Sequence, residues 1–263
     1  MRRLILKVVA AAWSAAPLFA QLVSPHPGYV RYPGLPVQEI FGVPGSYVVS
    51  PAKFGPAVAA SFGNSAALIA LNGAIHWIDS KGTQLAECQY GEVTPLLAPV
   101  DQPDRALAWL PRQHALVVFR DHAVSITKVD LSALTGVVTS LAFESATTAR
   151  LLVLHPDQAV SSVTVSLQDG RTISSELLPG VRGAAYLFGP YVIWSQSEGI
   201  ALLDSAGRLC TLTAPAGMFT AEQMSAGWVH LLFSTDGSHW ALYLNSKAPT
   251  LTRLPEPGGS VSR

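Results

Sequence analysis

The chain has 263 residues, is 49% apolar and only 13% charged, and carries no formal net charge. That length and apolar content are enough for one large domain with a well-filled core. There is no run of Lys or Arg, so the clustered positive charge that phosphate contacts require is missing and nucleic acid is not an expected partner.

The first element is a leader, MRRLILKVVAAAWSAAPLFAQ. Arg2 and Arg3 form a basic start, Val8 to Ala20 carries no charge, and Leu18-Phe19-Ala20 offers a small residue just before a cut at Gln21. This is the anatomy of a signal peptide. A membrane span needs roughly 18–20 apolar residues, and Pro17, Gln21 and Pro25 interrupt the run too soon. No Cys lies near the cut, so no lipid anchor is expected there. The protein is therefore expected to be exported, periplasmic or extracellular, with no stable membrane span after cleavage. Removing residues 1–20 leaves a net charge of −3. Residues 21–36, rich in Pro, read as an extended lead-in, 37–256 as the folded domain and 257–263 as a flexible tail.

From residue 57 onward a unit repeats. An apolar strand, a turn, an alternating strand, a second turn and a short outer strand recur at residues 66–89, 115–134, 149–178, 191–213 and 229–254. The second turn is the ruler: Asp79-Ser80-Lys81-Gly82, Asp130, Asp169-Gly170, Asp204-Ser205-Ala206-Gly207 and Asn245, at steps of 51, 39, 35 and 41 residues. Asp, Asn and Gly suit tight hairpins because they tolerate positive φ, and Asp bonds its own backbone two residues on. Each unit also has an upstream strand, at 57–62, 105–110, 137–143, 183–188 and 222–228. The runs ALIAL, ALVVF, LLVLH, YVIWS and HLLFS are apolar on both faces, as strands sandwiched between neighbouring sheets must be. Four strands per unit of about 40 residues, repeated radially, is the β-propeller solution to exposed sheet edges.

The turn-punctuated pattern VAASFGNSAALIALNGAIHWID resembles the WD-repeat and YVTN-type bacterial propeller superfamily, over residues 57–254 and without a Trp-Asp signature. The resemblance implies an all-β propeller of four-stranded blades. It implies no function, because that fold hosts scaffolds, sugar enzymes and quinone-dependent dehydrogenases alike. Five blades are expected, or six if residues 37–56 contribute. Ile40-Phe41-Gly42-Val43-Pro44-Gly45-Ser46 echoes Leu178-Pro179-Gly180-Val181-Arg182-Gly183-Ala184, which makes Val37–Phe41 an outer-type strand of the last blade or of a partial sixth.

Chemistry is sparse. The seven His residues show no metal-ligand spacing, and there is no nucleophile elbow, P-loop or dinucleotide fingerprint; no metal or cofactor is expected. Asp101 and Asp104 read as members of a solvated Pro-rich loop. Ser234-Thr235-Asp236-Gly237-Ser238-His239-Trp240 resembles the Asp-box turn of sialidase-like propellers, which implies a structural hairpin with Asp236 pinning it and Trp240 packed between sheets. Trp77, Trp109, Trp194, Trp228 and Trp240 read as inter-blade core rather than sugar platforms. Cys88 and Cys210, on outer strands of the first and fourth repeat units, are too far apart to form a disulfide, which needs Cα atoms about 4.4–6.8 Å apart.

The preferred reading is an exported, non-enzymatic propeller that binds a protein or a glycan. The alternative is a propeller glycoside hydrolase or lyase whose carboxylates come from several blades; three carboxylates converging in the central funnel, one with a raised pKa, would mark it. If a ligand binds, the expected site is the face carrying the loops between second and third strands. Its polar residues are taken as Arg120, Asp121, His122, His155, Asp157, Glu198 and Asp236, with the turns 79–82 and 204–207 on the opposite face.

Overall fold

The computed structural model describes residues 26–257 except 45, 133 and 245–247. The signal peptide, its cut, the turn residue Asn245 and residues 258–263 lie outside the described residues. The rest is six antiparallel sheets in chain order, five of four strands and one of three. The first sheet has β1 (Gly28–Val30), β2 (Val37–Val43) and β3 (Ser46–Phe54). The second has β4 (Ala59–Phe62), β5 (Ala66–Leu71), β6 (Ala74–Asp79) and β7 (Gln84–Gln89). The third has β8 (Leu96–Leu97), β9 (Arg105–Leu110), β10 (Ala115–Arg120) and β11 (Ala123–Lys128). The fourth has β12 (Val137–Phe143), β13 (Thr148–Leu154), β14 (Ala159–Ser166) and β15 (Thr172–Arg182). The fifth has β16 (Ala185–Phe188), β17 (Tyr191–Gln196), β18 (Gly199–Leu203) and β19 (Leu209–Thr213). The sixth has β20 (Phe219–Ser225), β21 (Trp228–Phe233), β22 (His239–Tyr243) and β23 (Thr250–Arg253). Among the described residues the one helical element is a single 3-10 turn at Pro111–Gln113, and no helix is long and apolar enough to cross a membrane.

Six apolar clusters fill the gaps between successive sheets, the last joining the sixth sheet back to the first. The chain is thus a six-bladed β-propeller. Period-two alternation explains why the second strands are apolar throughout. Leu68 packs toward the third sheet and its neighbour Ile69 toward the first. Leu151 and Leu152 divide between the third and fifth sheets in the same way. Each such residue is 0–1% exposed, and burying each Leu or Ile contributes on the order of 2 kcal/mol. Outer strands are wetted on one side, and β19 alternates exposed and half-buried residues along its length.

The first sheet lacks an innermost strand. The Oγ of Ser225 donates to the carbonyl of Pro27, while Arg31 reaches back to Glu222, so β1 runs antiparallel to β20. The innermost strands β4 and β20 therefore lie side by side, and the first sheet is wedged behind them. Gly28 makes this seam possible. It has φ +122°, and a Cβ there would collide with the carbonyl of Met224. The expected partial sixth blade is present, but Val37–Val43, expected as an outer-type strand, is its middle strand, because β1 from the lead-in expected up to residue 36 pairs on its inner side.

The third sheet corrects the expected register. Arg105–Leu110, taken as an innermost strand, is the second strand, and the innermost is the two-residue β8 between Pro95 and Pro99. The turn between its third and fourth strands is Asp121-His122, both at positive φ, whereas Asp130 lies on the crossing to the fourth sheet and binds the Ser132 N–H. The rulers at 79–82, 169–170 and 204–207 fold as expected, between third and fourth strands. Asp79 accepts from the N–H groups of Lys81 and Thr83, and Asp204 from those of Ala206 and Arg208, all at 2.8–2.9 Å. These bonds hold both carboxyls below the usual carboxylate range. Cys88 and Cys210 are free thiols on β7 and β19, in the second and fifth of the six sheets.

Candidate functional site

Hairpins of a propeller alternate between two faces. The first face carries loops between second and third strands, and those passing from sheet to sheet. The second face carries the remaining hairpins. His155, Asp157, Glu198 and Asp236 fall on the first face, but Arg120, Asp121 and His122 fall on the second, because of the register shift in the third sheet. The expected common site of seven residues therefore does not assemble. Most of them also serve their own turns or neighbours. Arg120 donates to the carbonyl of Ala146 at 2.8 Å. The His155 ring is bonded to the carbonyl of Thr135 and the hydroxyl of Ser161. Asp157 accepts from the Ala159 N–H. Asp236 accepts from the Ser238 N–H, and the Trp240 indole N–H donates to the Ser238 hydroxyl, so the Asp-box-like segment is a pinned hairpin with Trp240 packed into the core between the fifth and sixth sheets. The turns at 79–82 and 204–207 do lie on the second face.

Polar chemistry gathers instead on the ring axis. A 330 Å³ cavity opens on the first face and is lined from all five innermost strands, by Ala59, Leu96, Thr139, Tyr186 and Glu222 among others. Arg31 donates to both carboxylate oxygens of Glu222, at 2.8–3.0 Å. Burial pushes the Glu222 carboxyl above the usual range, against the pull of Arg31 and of the Ala60 N–H. Next along the strand, Gln223 is buried and forms a partition. Its carbonyl oxygen accepts from the Ser61 hydroxyl at 3.1 Å and the Val100 N–H at 2.6 Å. Its amide donates to Asp101 at 3.5 Å. Gln223 also lines a second cavity, of 250 Å³, that opens on the second face beside Asp101. Asp101 is thus at the channel mouth rather than on a free loop. Partial desolvation there pushes its carboxyl up, and Gln223 opposes the shift. The two carboxylates stand on opposite sides of Gln223; the three-carboxylate convergence that would mark a hydrolase does not form among the described residues. Nor do three or more His, Cys, Asp or Glu gather as a metal site among them.

A third cavity, of 390 Å³, opens on the second face at the seam where sheets six, one and two meet. Its volume lies within the range of small-molecule sites, about 300–1,000 Å³. Two aromatic pairs wall it: Tyr29 with Phe62, and Trp228 with Tyr243, each with centroids 4.6 Å apart. Phe54 joins Tyr29 and Phe62 in that wall. Lys53 donates to the Tyr29 hydroxyl at 2.7 Å, and its ammonium lies 5.0 Å from the Tyr29 ring centroid. The hydroxyl contact raises the pKa of Lys53, with Glu39 at 3.7 Å adding to it. Asn64, Ser80 and Tyr243 bring an amide and two hydroxyls to the same opening, without a hydrogen-bond partner among the described residues.

Sequence reasoning missed Arg31, Glu222, Gln223, Tyr29 and Lys53. The first and last two sit in segments read as lead-in or partial blade. Glu222-Gln223 was legible only as a polar pair in an innermost strand. Of the five tryptophans expected in the core, Trp77, Trp109 and Trp194 are 1–3% exposed, whereas Trp228 faces the seam cavity.

No family model and no curated protein matches the chain. Similar solved structures include the β-propeller domain of Cps50 (Swd1) from Myceliophteria thermophila, at 12% identity and TM-score 0.49, covering 89% of this chain and 88% of that one. AztD from Citrobacter koseri is 18% identical at TM-score 0.45, over 83% of this chain and 67% of its own. Hsv2 from Kluyvelomyces marxianus is 7% identical at TM-score 0.42, over 82% of this chain and 79% of its own. These likenesses extend to chain path alone, and the assignment of this chain as a β-propeller rests on its own six sheets and the clusters between them.

Proposed function

We propose that the protein is an exported binding module: a leader removed after Ala20, followed by a propeller that holds a ligand without transforming it. The observation that carries this reading is the seam cavity, where aromatic faces and unpaired amide and hydroxyl groups share one opening. The channel supports the same reading from the other side. Glu222 is locked to Arg31 in a bidentate pair and the Gln223 carbonyl oxygen already accepts two bonds. General acid–base work needs a carboxyl free to meet the substrate.

The binding reading is tested by immobilising mature protein, from Gln21, and screening it against a glycan array and a proteome-scale peptide library. Specific capture of one class, competed by free ligand, is the expected result; failure to retain anything in either screen overturns it. Export is tested separately. The intact mass of protein recovered outside the cytoplasm should correspond to a chain starting at Gln21, and a membrane-bound species retaining residues 1–20 overturns the leader assignment.

A further inference from the structure

We propose that the seam cavity is a carbohydrate site that takes a pyranose ring between the Tyr29–Phe62 and Trp228–Tyr243 pairs. The inference rests on the binding-module reading and names its ligand class.

A pyranose has two apolar C–H faces and a rim of hydroxyls. The cavity has the complementary arrangement. Aromatic side chains from β1, β4, β21 and β22 supply the walls, and large rigid rings offer contact area at little conformational cost. At the rim, the Asn64 amide both donates and accepts, and so do the Ser80 and Tyr243 hydroxyls. These groups are exposed or half-buried and lack protein partners among the described residues, so a ligand hydroxyl can bond them without displacing an existing bond. Lys53 adds the one cation at the opening, held against Tyr29.

The alternative occupant of an aromatic enclosure is a quaternary ammonium. Here the charge is wrong for it. The Lys53 ammonium stands in the wall, the Glu39 carboxylate 3.7 Å from it is also paired with His26, and the lining carboxylate, Asp79, spends Oδ1 on the N–H groups of Lys81 and Thr83. Lys53 instead favours a sugar with a carboxylate or an electron-rich hydroxyl edge on that side.

The test is titration of the mature protein with cellotetraose, chitotetraose, maltotetraose and tetragalacturonate, with tetramethylammonium as a control. Isothermal titration calorimetry is the readout, since it does not depend on Trp228 as a reporter. At least one tetrasaccharide should give a saturable change in the millimolar range or tighter. Trp228→Ala should weaken it at least tenfold. Asn64→Ala, an exposed substitution that leaves the fold alone, should weaken it severalfold. Lys53→Ala should cost more with tetragalacturonate than with any neutral sugar that binds. No response to any of the four, a response unmoved by both Trp228→Ala and Asn64→Ala, or saturation by tetramethylammonium instead, overturns the carbohydrate assignment. A captured peptide that loses affinity in Asn64→Ala, with all sugars silent, also overturns it while leaving the binding-module reading standing.

Discussion

His230 and His239 lie edge to edge inside the sixth sheet, their rings 7° from parallel with centroids 5.1 Å apart, and Nε2 of His230 meets Nδ1 of His239 at 2.8 Å. One nitrogen must donate and the other accept, so the bond survives only while at least one imidazole is neutral. Both residues are 4% exposed. Tyr32 packs T-shaped against His239 with centroids 4.7 Å apart, and donates to the carbonyl of Pro255.

Acid should loosen this corner first. Burial, then His239 and Arg31, hold His230 well below the ordinary His value of 6.5, and burial, with Arg31, lowers His239 against the opposing pull of Glu256. The unfolded chain then binds more protons than the folded one just below pH 6.5, so the stabilisation is complete above that pH and is lost as pH falls through it. Glu222, raised by burial, has the opposite sign, and acts nearer the carboxylate range. The melting temperature should fall between pH 6.5 and 5, and the fall should shrink in His230→Asn. A pH-independent melt over that interval contradicts the buried pair.

Arg31→Ala should cost about 3 kcal/mol, because it strands a carboxylate that is 18% exposed, and losing one partner of a buried pair leaves an uncompensated charge. For a domain of this size that is a drop of roughly 6–12 °C in Tm. The double variant Arg31→Met, Glu222→Leu should recover most of it. Thermal unfolding of the single and double variants decides the point.

Gly28→Ala and Gly34→Ala should separate strain from collision. Both positions have positive φ, but only at Gly28 would the added carbon meet backbone, at Met224, while Gly34 faces open space. Gly34→Ala should cost about 1 kcal/mol. Gly28→Ala should cost more than twice that, and should expose the seam to limited proteolysis. Equal losses would place the seam elsewhere.

Thiol labelling should resolve two different cysteines. Cys88 is buried, and burial pushes its thiol above the usual range, whereas Cys210 is half-exposed. A maleimide probe should modify Cys210 in the folded protein and reach Cys88 only on unfolding. A non-reducing mass lower by two hydrogens would refute both the free thiols and the sheet assignment.

The architecture was readable because buried strands and Asp-pinned turns are local patterns. Runs such as ALVVF report burial on both faces, and Asp79 and Asp204 report hairpins through bonds two to four residues long. β8 was not readable, since a two-residue strand between prolines has no period, and the third sheet slipped by one strand as a result. That slip sent Arg120, Asp121 and His122 to the wrong face. The seam cavity was hidden for a different reason. Tyr29 and Phe62 meet where two consecutive sheets pack, but Trp228 joins them only when the ring closes, and no spacing along the chain encodes that closure.

The seam also sets an order on folding. Arg31 bonds a residue 191 positions away, and Tyr32 one 223 positions away. No earlier sheet can supply those partners, so the first sheet, though it packs on the second through Val37, Phe62 and Ile69, keeps its other face open until the sixth has been made. Contacts of such separation carry the largest chain-closure entropy and slow the search. The export proposed above would be served by that delay, because one face of the opening sheet stays unsatisfied until synthesis is almost finished. The same geometry brings the two ends of the domain together at Tyr32 and Pro255, so a circular permutant cut in an exposed outer turn and joined there should still close its ring.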